Sequence, residues 1–220
     1  MRMPSGIPGL DELMEGGFED GSINLITGKT GTGKSIFSAQ FLYNGAKKYK
    51  ERGLYITTGD TVKNIKKQAV RLGWEMENLE KEGMLKIIEL EPYDIEKLLE
   101  NMAISKEMTQ SKRIVIDSIS MFELYMQEPY KIRKSLFSVL QKLRDMGKTV
   151  LVVAEVPEES KNLSRTGVIE FMVDSVIVLQ FLGIAKYKRS LMIRKMRVTN
   201  HSSEIHPFEI GANGIKILKI

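Results

Sequence analysis

The chain has 220 residues, 42% of them hydrophobic, which suits one large domain over 1–220 with a packed core. It contains no cysteine and two histidines, which excludes disulfides and thiolate catalysis and argues against a histidine-based zinc site. The net charge of +5 permits nucleic acid as a partner, although a solvated surface rich in lysine and glutamate explains it better. No apolar run reaches the roughly 18 residues that span a bilayer, and prolines and glycines interrupt the first 13 residues, so we expect a cytoplasmic protein.

Strand-type and helix-type segments alternate over the first two thirds of the chain. In chain order the hydrophobic spacing predicts a strand over 23–27, a helix over 34–48, a strand over 54–58, a helix over 62–72, a strand over 85–90, a helix over 95–107, a strand over 113–116, a helix over 130–146 and a strand over 149–154. Such alternation predicts an α/β fold with a mostly parallel central sheet covered by helices on both faces.

The last third of the chain changes character. Four strands are predicted over 176–181, 191–196, 204–208 and 215–218, joined by short polar loops without intervening helices. Because strands joined this way pair in opposite directions, we expect a C-terminal antiparallel extension on the edge of the parallel sheet.

A phosphate-binding loop is predicted between the first strand and the first helix. Residues 28–35 match the pattern G-x-x-x-x-G-K-[ST]. Its glycines let several backbone N–H groups converge on one point, and the following helix N-terminus favours an anion. Lys34 is expected to reach the β- and γ-phosphates and the Ser35 hydroxyl to bind Mg²⁺. The predicted ligands are ATP, or a similar nucleoside triphosphate, and Mg²⁺; the predicted nucleotide-binding residues are Gly28, Thr30, Gly31, Thr32, Gly33, Lys34 and Ser35.

An acidic residue follows the apolar strand at 113–116. Asp117 is placed to hold the magnesium ion through a water molecule, next to Ser35. An aspartate after such a strand can also be an ordinary turn residue, but the phosphate loop favours the metal-binding interpretation.

The chain resembles the KaiC-type domains of the RecA superfamily over nearly its whole length. The opening SGIPGLDEL at 5–13 and the phosphate loop carry the resemblance. It continues through QFLYNG at 40–45, LGW at 72–74, GVIEF at 167–171, KMR at 195–197, His201 and IHPF at 205–208. This is the size of the archaeal one-domain relatives of the RadA-paralogue and archaellum-ATPase type.

The resemblance implies a RecA-like sheet and a homo-oligomer, a hexameric ring among the options, with nucleotide between subunits. It further implies that Lys195, Arg197, Thr199 and His201 reach the nucleotide of a neighbouring subunit. A cation supplied in this way stabilises charge on the phosphoryl group. The alternative is that these are solvated strand residues, or that the six basic residues between 183 and 197, with no acid among them, face nucleic acid.

The sequence departs from the family where catalysis is expected. KaiC-type ATPases carry two adjacent glutamates after the second strand, and here these positions are Gly59 and Asp60. A general base needs a carboxylate within reach of the attacking water, so Asp60 is the candidate catalytic residue, with Glu155 beside Ala154 as a substitute.

Three functions are compatible with these residues. The first is a nucleotide-dependent assembly or signalling component with weak or absent hydrolysis and an unknown protein partner. The second is an ATP-dependent recombinase paralogue in DNA repair that binds single-stranded DNA through loops at 157–166 and 183–190, where Tyr187 is the only aromatic residue. The third is a kinase-like activity, for which nothing in the sequence marks an acceptor.

Overall fold

The computed structural model describes residues 1–91, 105–125, 128–160, 162–184 and 187–218. The strands are β1 (Arg2–Met3), β2 (Phe18–Glu19), β3 (Ile23–Gly28), β4 (Gly53–Thr57), β5 (Leu85–Glu89), β6 (Arg113–Asp117), β7 (Thr149–Glu155), β8 (Ser175–Ile184), β9 (Tyr187–Met196), β10 (Ile205–Gly211) and β11 (Gly214–Ile217). The helices are α1 (Lys34–Tyr49), α2 (Val62–Arg71), α3 (Met76–Lys81), α4 (Lys106–Gln110), α5 (Ser120–Tyr125), α6 (Pro129–Asp145) and α7 (Ile169–Met172), with a 3-10 turn at Asp11–Leu13.

One large sheet organises the described chain. Its strand order is β11-β10-β9-β8-β3-β7-β6-β4-β5, and β1 and β2 form a separate antiparallel ribbon. The strands from β8 to β5 run parallel, whereas β9, β10 and β11 extend the β8 edge in antiparallel fashion. The predicted mostly parallel sheet with a C-terminal antiparallel extension is therefore confirmed.

The predicted elements between the first strand and the last agree with the structure to within a few residues, except for the helix predicted over 95–107. Residues 95–104 of that prediction lie outside the described residues. The described chain resumes at Ser105, whose side chain caps the start of α4 by accepting from the backbone N–H of Met108. A helix therefore starts at Lys106, where the prediction had one ending.

Two hydrophobic clusters cover the sheet, one on each face. Alternate residues of the central strands point to opposite sides, so Tyr55 and Val115 pack toward α1, while Leu54 and Ile114 pack toward α6. Both faces being covered explains why β3 is buried at every position. No helix in the described part of the chain is long and apolar enough to cross a membrane.

A β-bulge interrupts the pairing of β8 with β9 near the end of β9. Val176 pairs with Lys195 and the next residue, Ile177, pairs with Ile193, so Arg194 is an extra residue. In an unbroken strand Lys195 would share a face with Ile193, which packs toward α1. The bulge instead turns Lys195 toward α7.

Candidate nucleotide-binding site

The phosphate loop joins the end of β3 to the start of α1. Gly28 has φ +150°, and a Cβ there would lie 2.1 Å from the carbonyl oxygen of Leu179 on the neighbouring strand. Gly33, the residue before α1, has φ +108°, and a Cβ there would lie 3.0 Å from Ile210. Both positions therefore require glycine, for backbone angle and for space. Thr32 closes the turn by donating from Oγ1 to the carbonyl of Lys29 at 2.8 Å.

Lys34 is buried at the first position of α1. Its ammonium group donates to the carbonyl of Lys29 at 2.9 Å. Burial lowers the pKa of Lys34, while the nearby carboxylates of Glu155 and Asp117 raise it. A desolvated ammonium group held at the mouth of a helix N-terminus is well suited to an oligophosphate.

Asp117 and Ser35, the two predicted magnesium ligands, are brought together. The Ser35 side chain is hydrogen bonded to Asp117, and the hydroxyl of Tyr55 donates to Asp117 Oδ2 at 2.6 Å. Burial raises the pKa of the Asp117 carboxyl, while the two hydrogen bonds and the charge of Lys34 lower it. Burial and the adjacent carboxylate also hold the pKa of Tyr55 well above its ordinary value, so the phenol stays a donor.

The oxygens at this point fit a magnesium ion that is shared with a nucleotide. Ser35 and Asp117 supply a hydroxyl and a carboxylate side by side. Among the described residues no group of three His, Asp or Glu side chains gathers as a self-sufficient metal site. Mg²⁺ usually takes one or two protein oxygens and completes its shell with phosphates and water, so this donor set suits an ion that arrives with a triphosphate.

A cavity of about 340 Å³ opens beside the loop, between α1 and α2. Its polar end contains Ser35, Asp117, Asp60 and Glu155. Its other end is largely apolar and is formed by Ile36, Ala39, Ile65, Ala69, Leu72 and Trp74. The cavity therefore offers a polar end next to the phosphate loop and an apolar end farther from it.

Gly59 and Asp60 lie at the mouth of this cavity, after β4. A Cβ at Gly59 would meet only Met121, at 3.6 Å, and Gly59 does not have a left-handed φ, so a side chain would fit. Asp60 Oδ1 is already engaged, because it accepts from the backbone N–H of Thr61 at 2.8 Å and from the Asn64 amide at 2.9 Å. Asp60 thus helps to start α2, and its catalytic role stays a prediction.

The cation segment, residues 195–201, lies near the start of β3, whereas the phosphate loop of the same chain follows the end of β3. The backbone N–H of Arg197 donates to the carbonyl of Asp174, and the N–H of Asp174 donates to the carbonyl of Ile23, the first residue of β3. Gly28 lies five residues farther along β3, which is about 16 Å at the rise of a strand. The structure therefore does not bring Arg197 to its own phosphate loop.

The four predicted residues of the cation segment are held by neighbours in their own chain. Lys195 donates to the carbonyls of Glu170 and Val173 at 3.1 and 2.7 Å, and burial lowers its pKa. Arg197 is half exposed and lies 3.6 Å from the Asp174 carboxylate. Thr199 donates to the carbonyl of Arg197 at 3.1 Å, and His201 Nδ1 lies 2.9 Å from the carbonyl of Ser202. A groove lined in part by Lys195 and Arg197 adjoins the segment.

Two side chains at the site were missed in the sequence. Tyr55 orients Asp117, and its signal was a tyrosine within an apolar, buried strand, where the hydroxyl needs a partner. Arg189 donates to the carbonyl of Gly31 at 3.2 Å and stacks on the ring of Phe181 at 5.1 Å. Its placement depends on the register of β8 with β9, for which the sequence offers no local signal.

Comparison with known proteins places the chain in one family. A family model described as "ATPase: KaiC" matches residues 3–220. A UPF0273 protein of Thermotoga maritima is 38% identical over 98% of this chain and 95% of its own length. The circadian clock oscillator protein KaiC of Synechococcus elongatus is 33% identical over 100% of this chain, which spans 44% of that protein.

The structural comparison agrees. The crystal structure of a KaiC-like protein from the hyperthermophilic archaeon Pyrococcus horikoshii OT3 superposes with a TM-score of 0.91 and 40% identity, covering 100% of this chain and 99% of that one. The phosphate loop, the sheet topology and these matches lead to one conclusion: the chain belongs to the KaiC family of RecA-type ATPases and is a P-loop nucleotide-binding protein.

Proposed function

We propose that this protein binds ATP with Mg²⁺ as a conformational ligand that drives assembly with further copies of the chain, and that it hydrolyses ATP slowly or not at all. In this proposal Lys34 and the loop backbone hold the phosphates, Ser35 and Asp117 hold the metal, and the apolar end of the cavity accepts part of the nucleoside. Mg²⁺ would supply charge neutralisation at the phosphates when it is bound.

The observation that carries the proposal is the separation of the two half-sites. The phosphate loop and the cation segment lie at opposite ends of the strands, about 16 Å apart along β3. A second copy can place its own Lys195, Arg197, Thr199 and His201 at the nucleotide of the first. ATP then binds the assembled state more tightly than the free chain, and assembly follows by mass action.

Slow turnover is inferred from the end of β4. Gly59 stands at the position of the first family glutamate. Asp60 Oδ1 already accepts a hydrogen bond from the Asn64 side chain at the start of α2. Glu155 remains as a second carboxylate at the polar end of the cavity, so it is the substitute base if hydrolysis occurs. Loss of a positioned base costs on the order of 10² to 10⁴-fold in rate.

The alternative, a DNA-repair role, rests on the basic residues of β9. Against it, three of the six basic residues between 183 and 197 have partners in their own chain: Arg189 with Gly31, Lys195 with α7 and Arg197 with Asp174. The loop at 157–166 contains Glu158 and Glu159 besides Lys161 and Arg165, so it carries no net positive charge. A backbone-binding surface for single strands is normally basic.

The test measures assembly and phosphate release together. Molar mass by light scattering is expected to rise with ATP and Mg²⁺ and not with buffer alone, while phosphate release stays near background with or without single-stranded DNA. Arg197→Ala should raise the protein concentration for half-assembly by at least tenfold while nucleotide binding by the isolated chain persists. Lys188→Ala, which changes an exposed basic residue of β9, is the matched control and should assemble normally.

Two results would contradict the proposal. If Arg197→Ala assembles like the parent protein, the cation segment does not complete a second copy's site. Strong stimulation of hydrolysis by single-stranded DNA would instead favour the DNA-repair alternative over the assembly function.

A further inference from the structure

Arg2, in the N-terminal ribbon formed by β1 and β2, contacts the cation segment. Arg2 donates from Nη1 to the Thr199 hydroxyl at 2.6 Å and from Nη2 to the carbonyl of Val198 at 3.2 Å. On its other side the same guanidinium pairs with Glu15 at 2.7 Å and Glu19 at 3.2 Å. These two residues of the segment are separated from Arg2 by almost the whole length of the chain.

The residue held by Arg2 has an unfavourable backbone conformation. Val198 has φ +54°, in the left-handed region, and its side chain is 90% exposed. A β-branched residue seldom adopts such a φ, and no packing around the exposed Val198 side chain compensates. Its conformation depends on the groups that bind its backbone and its neighbours, of which the Arg2 guanidinium is one.

The other end of the contact is firmly anchored. Met3, next to Arg2, is 2% exposed and pairs with Phe18, which is fully buried in the cluster on the α1 face. Arg2 itself pairs in register with Glu19. The ribbon can therefore hold the guanidinium in a fixed position, whereas Val198 and Thr199, which the guanidinium contacts, lie in the irregular chain after β9.

We propose that Arg2 is a positioning residue that clamps the cation segment in the conformation accepted by the phosphate loop of a second copy of this chain. This inference rests on the proposed function. Arg2 does not itself serve as the phosphate cation, because Glu15 and Glu19 already neutralise it. The planar Arg2 guanidinium has two terminal nitrogens, which contact the cation segment and the two glutamates at the same time. A lysine ammonium cannot reproduce this geometry.

If Arg2 positions the cation segment, a second substitution at Val198 should restore assembly; a contact that only stabilises the fold predicts no such rescue. Arg2→Ala should raise the concentration for ATP-dependent half-assembly by about tenfold, because the segment leaves its strained conformation. Arg2→Lys should be nearly as defective. Adding Val198→Gly to Arg2→Ala should restore most of the assembly, because glycine adopts a positive φ without a clamp.

Assembly is measured by light scattering across protein concentrations, with melting temperature and nucleotide binding recorded for each variant. Arg52→Ala, an exposed arginine that donates to Gln110, is the matched control and should assemble normally. The clamp is overturned if Arg2→Ala assembles like the parent while Arg197→Ala does not, or if Val198→Gly restores nothing. If Arg197→Ala also assembles normally, the proposed function itself fails.

Discussion

The phosphate loop and the cation segment obtain unusual backbone conformations by different means. In the phosphate loop the residues with positive φ are glycines, among them Gly28 and Gly33, so the shape is set by the local sequence. In the cation segment, by contrast, the positive φ belongs to a β-branched residue, Val198, whose neighbourhood is held by Arg2 and Asp174, both distant in sequence. One half of the proposed site is therefore built locally and the other by tertiary contacts.

The difference has a practical consequence. Substitutions far from the phosphate loop should leave nucleotide binding intact, whereas substitutions at the N-terminal ribbon should disturb the cation segment. At the phosphate-loop end of the sheet, Lys34, the pair Gly59 and Asp60, and Asp117 are expected to contribute separately to binding, turnover and metal dependence.

The largest effect is expected at Lys34. Lys34→Ala should weaken nucleotide binding on the order of a thousandfold, because it removes a buried cation that is proposed to make more than one charge-assisted contact to the phosphates. Lys29→Ala is the matched control from the same loop. Lys29 is partly exposed and pairs with Glu158 at 3.0 Å, so binding should change by no more than a few fold.

Titration with a fluorescent ATP analogue distinguishes the two lysines. Equal losses at Lys29 and Lys34 would show that the loop attracts phosphate by charge alone. Full retention of binding by Lys34→Ala would contradict the assignment of the loop.

A smaller effect, about a hundredfold, is expected on turnover when the missing carboxylates are restored. Gly59→Glu with Asp60→Glu should raise phosphate release, because a glutamate at Gly59 has room beside Met121 and can polarise water. Gly59→Gln with Asp60→Gln keeps the side-chain size and removes the charge, so it should leave the rate near the parent value. An unchanged rate in the double glutamate variant would show that the lost base does not limit hydrolysis.

Sequence patterns predicted well the half of the proposed site that is built from local sequence, which is the phosphate loop. The phosphate loop, its strand and its helix depend on residues within a few positions of each other, and the parallel core followed from hydrophobic spacing. The placement of Lys195 could not be predicted, because it depends on the bulge at Arg194 and on the pairing of β9 with β8. Arg2 was missed for the same reason, since nothing near it in the sequence indicates a contact with Thr199.

The position of Asp117 could be predicted from the sequence, but its orientation could not. The acid after β6 could be predicted from its motif, but its hydrogen bond with Tyr55 required the register of β4 beside β6, in which Thr57 is opposite Asp117. Polar residues in buried strands are the signal to follow in such cases, because each of them needs a partner from a neighbouring strand.

The smallest of the three effects is expected at Asp117, and it depends on pH. Burial raises the pKa of this carboxyl, so it becomes protonated at a higher pH than an ordinary aspartate and then cannot serve Mg²⁺. Magnesium-dependent nucleotide affinity should therefore fall as the pH decreases through that raised pKa. Asp117→Asn should bind about tenfold more weakly at neutral pH and should lose this pH dependence.

The stability of the nucleotide-free protein should change in the opposite direction. A carboxyl whose pKa is raised by folding favours the folded state most below its ordinary pKa, and this contribution is lost as the pH rises through the raised value. Asp117→Asn, which keeps an acceptor for Tyr55, should therefore be at least as stable as the parent at neutral pH by chemical denaturation. Glu158→Gln, which changes an exposed acid beside the phosphate loop, should change neither property. A destabilised Asp117→Asn with unaltered magnesium dependence would mean that Asp117 is a structural turn residue and not part of the metal site.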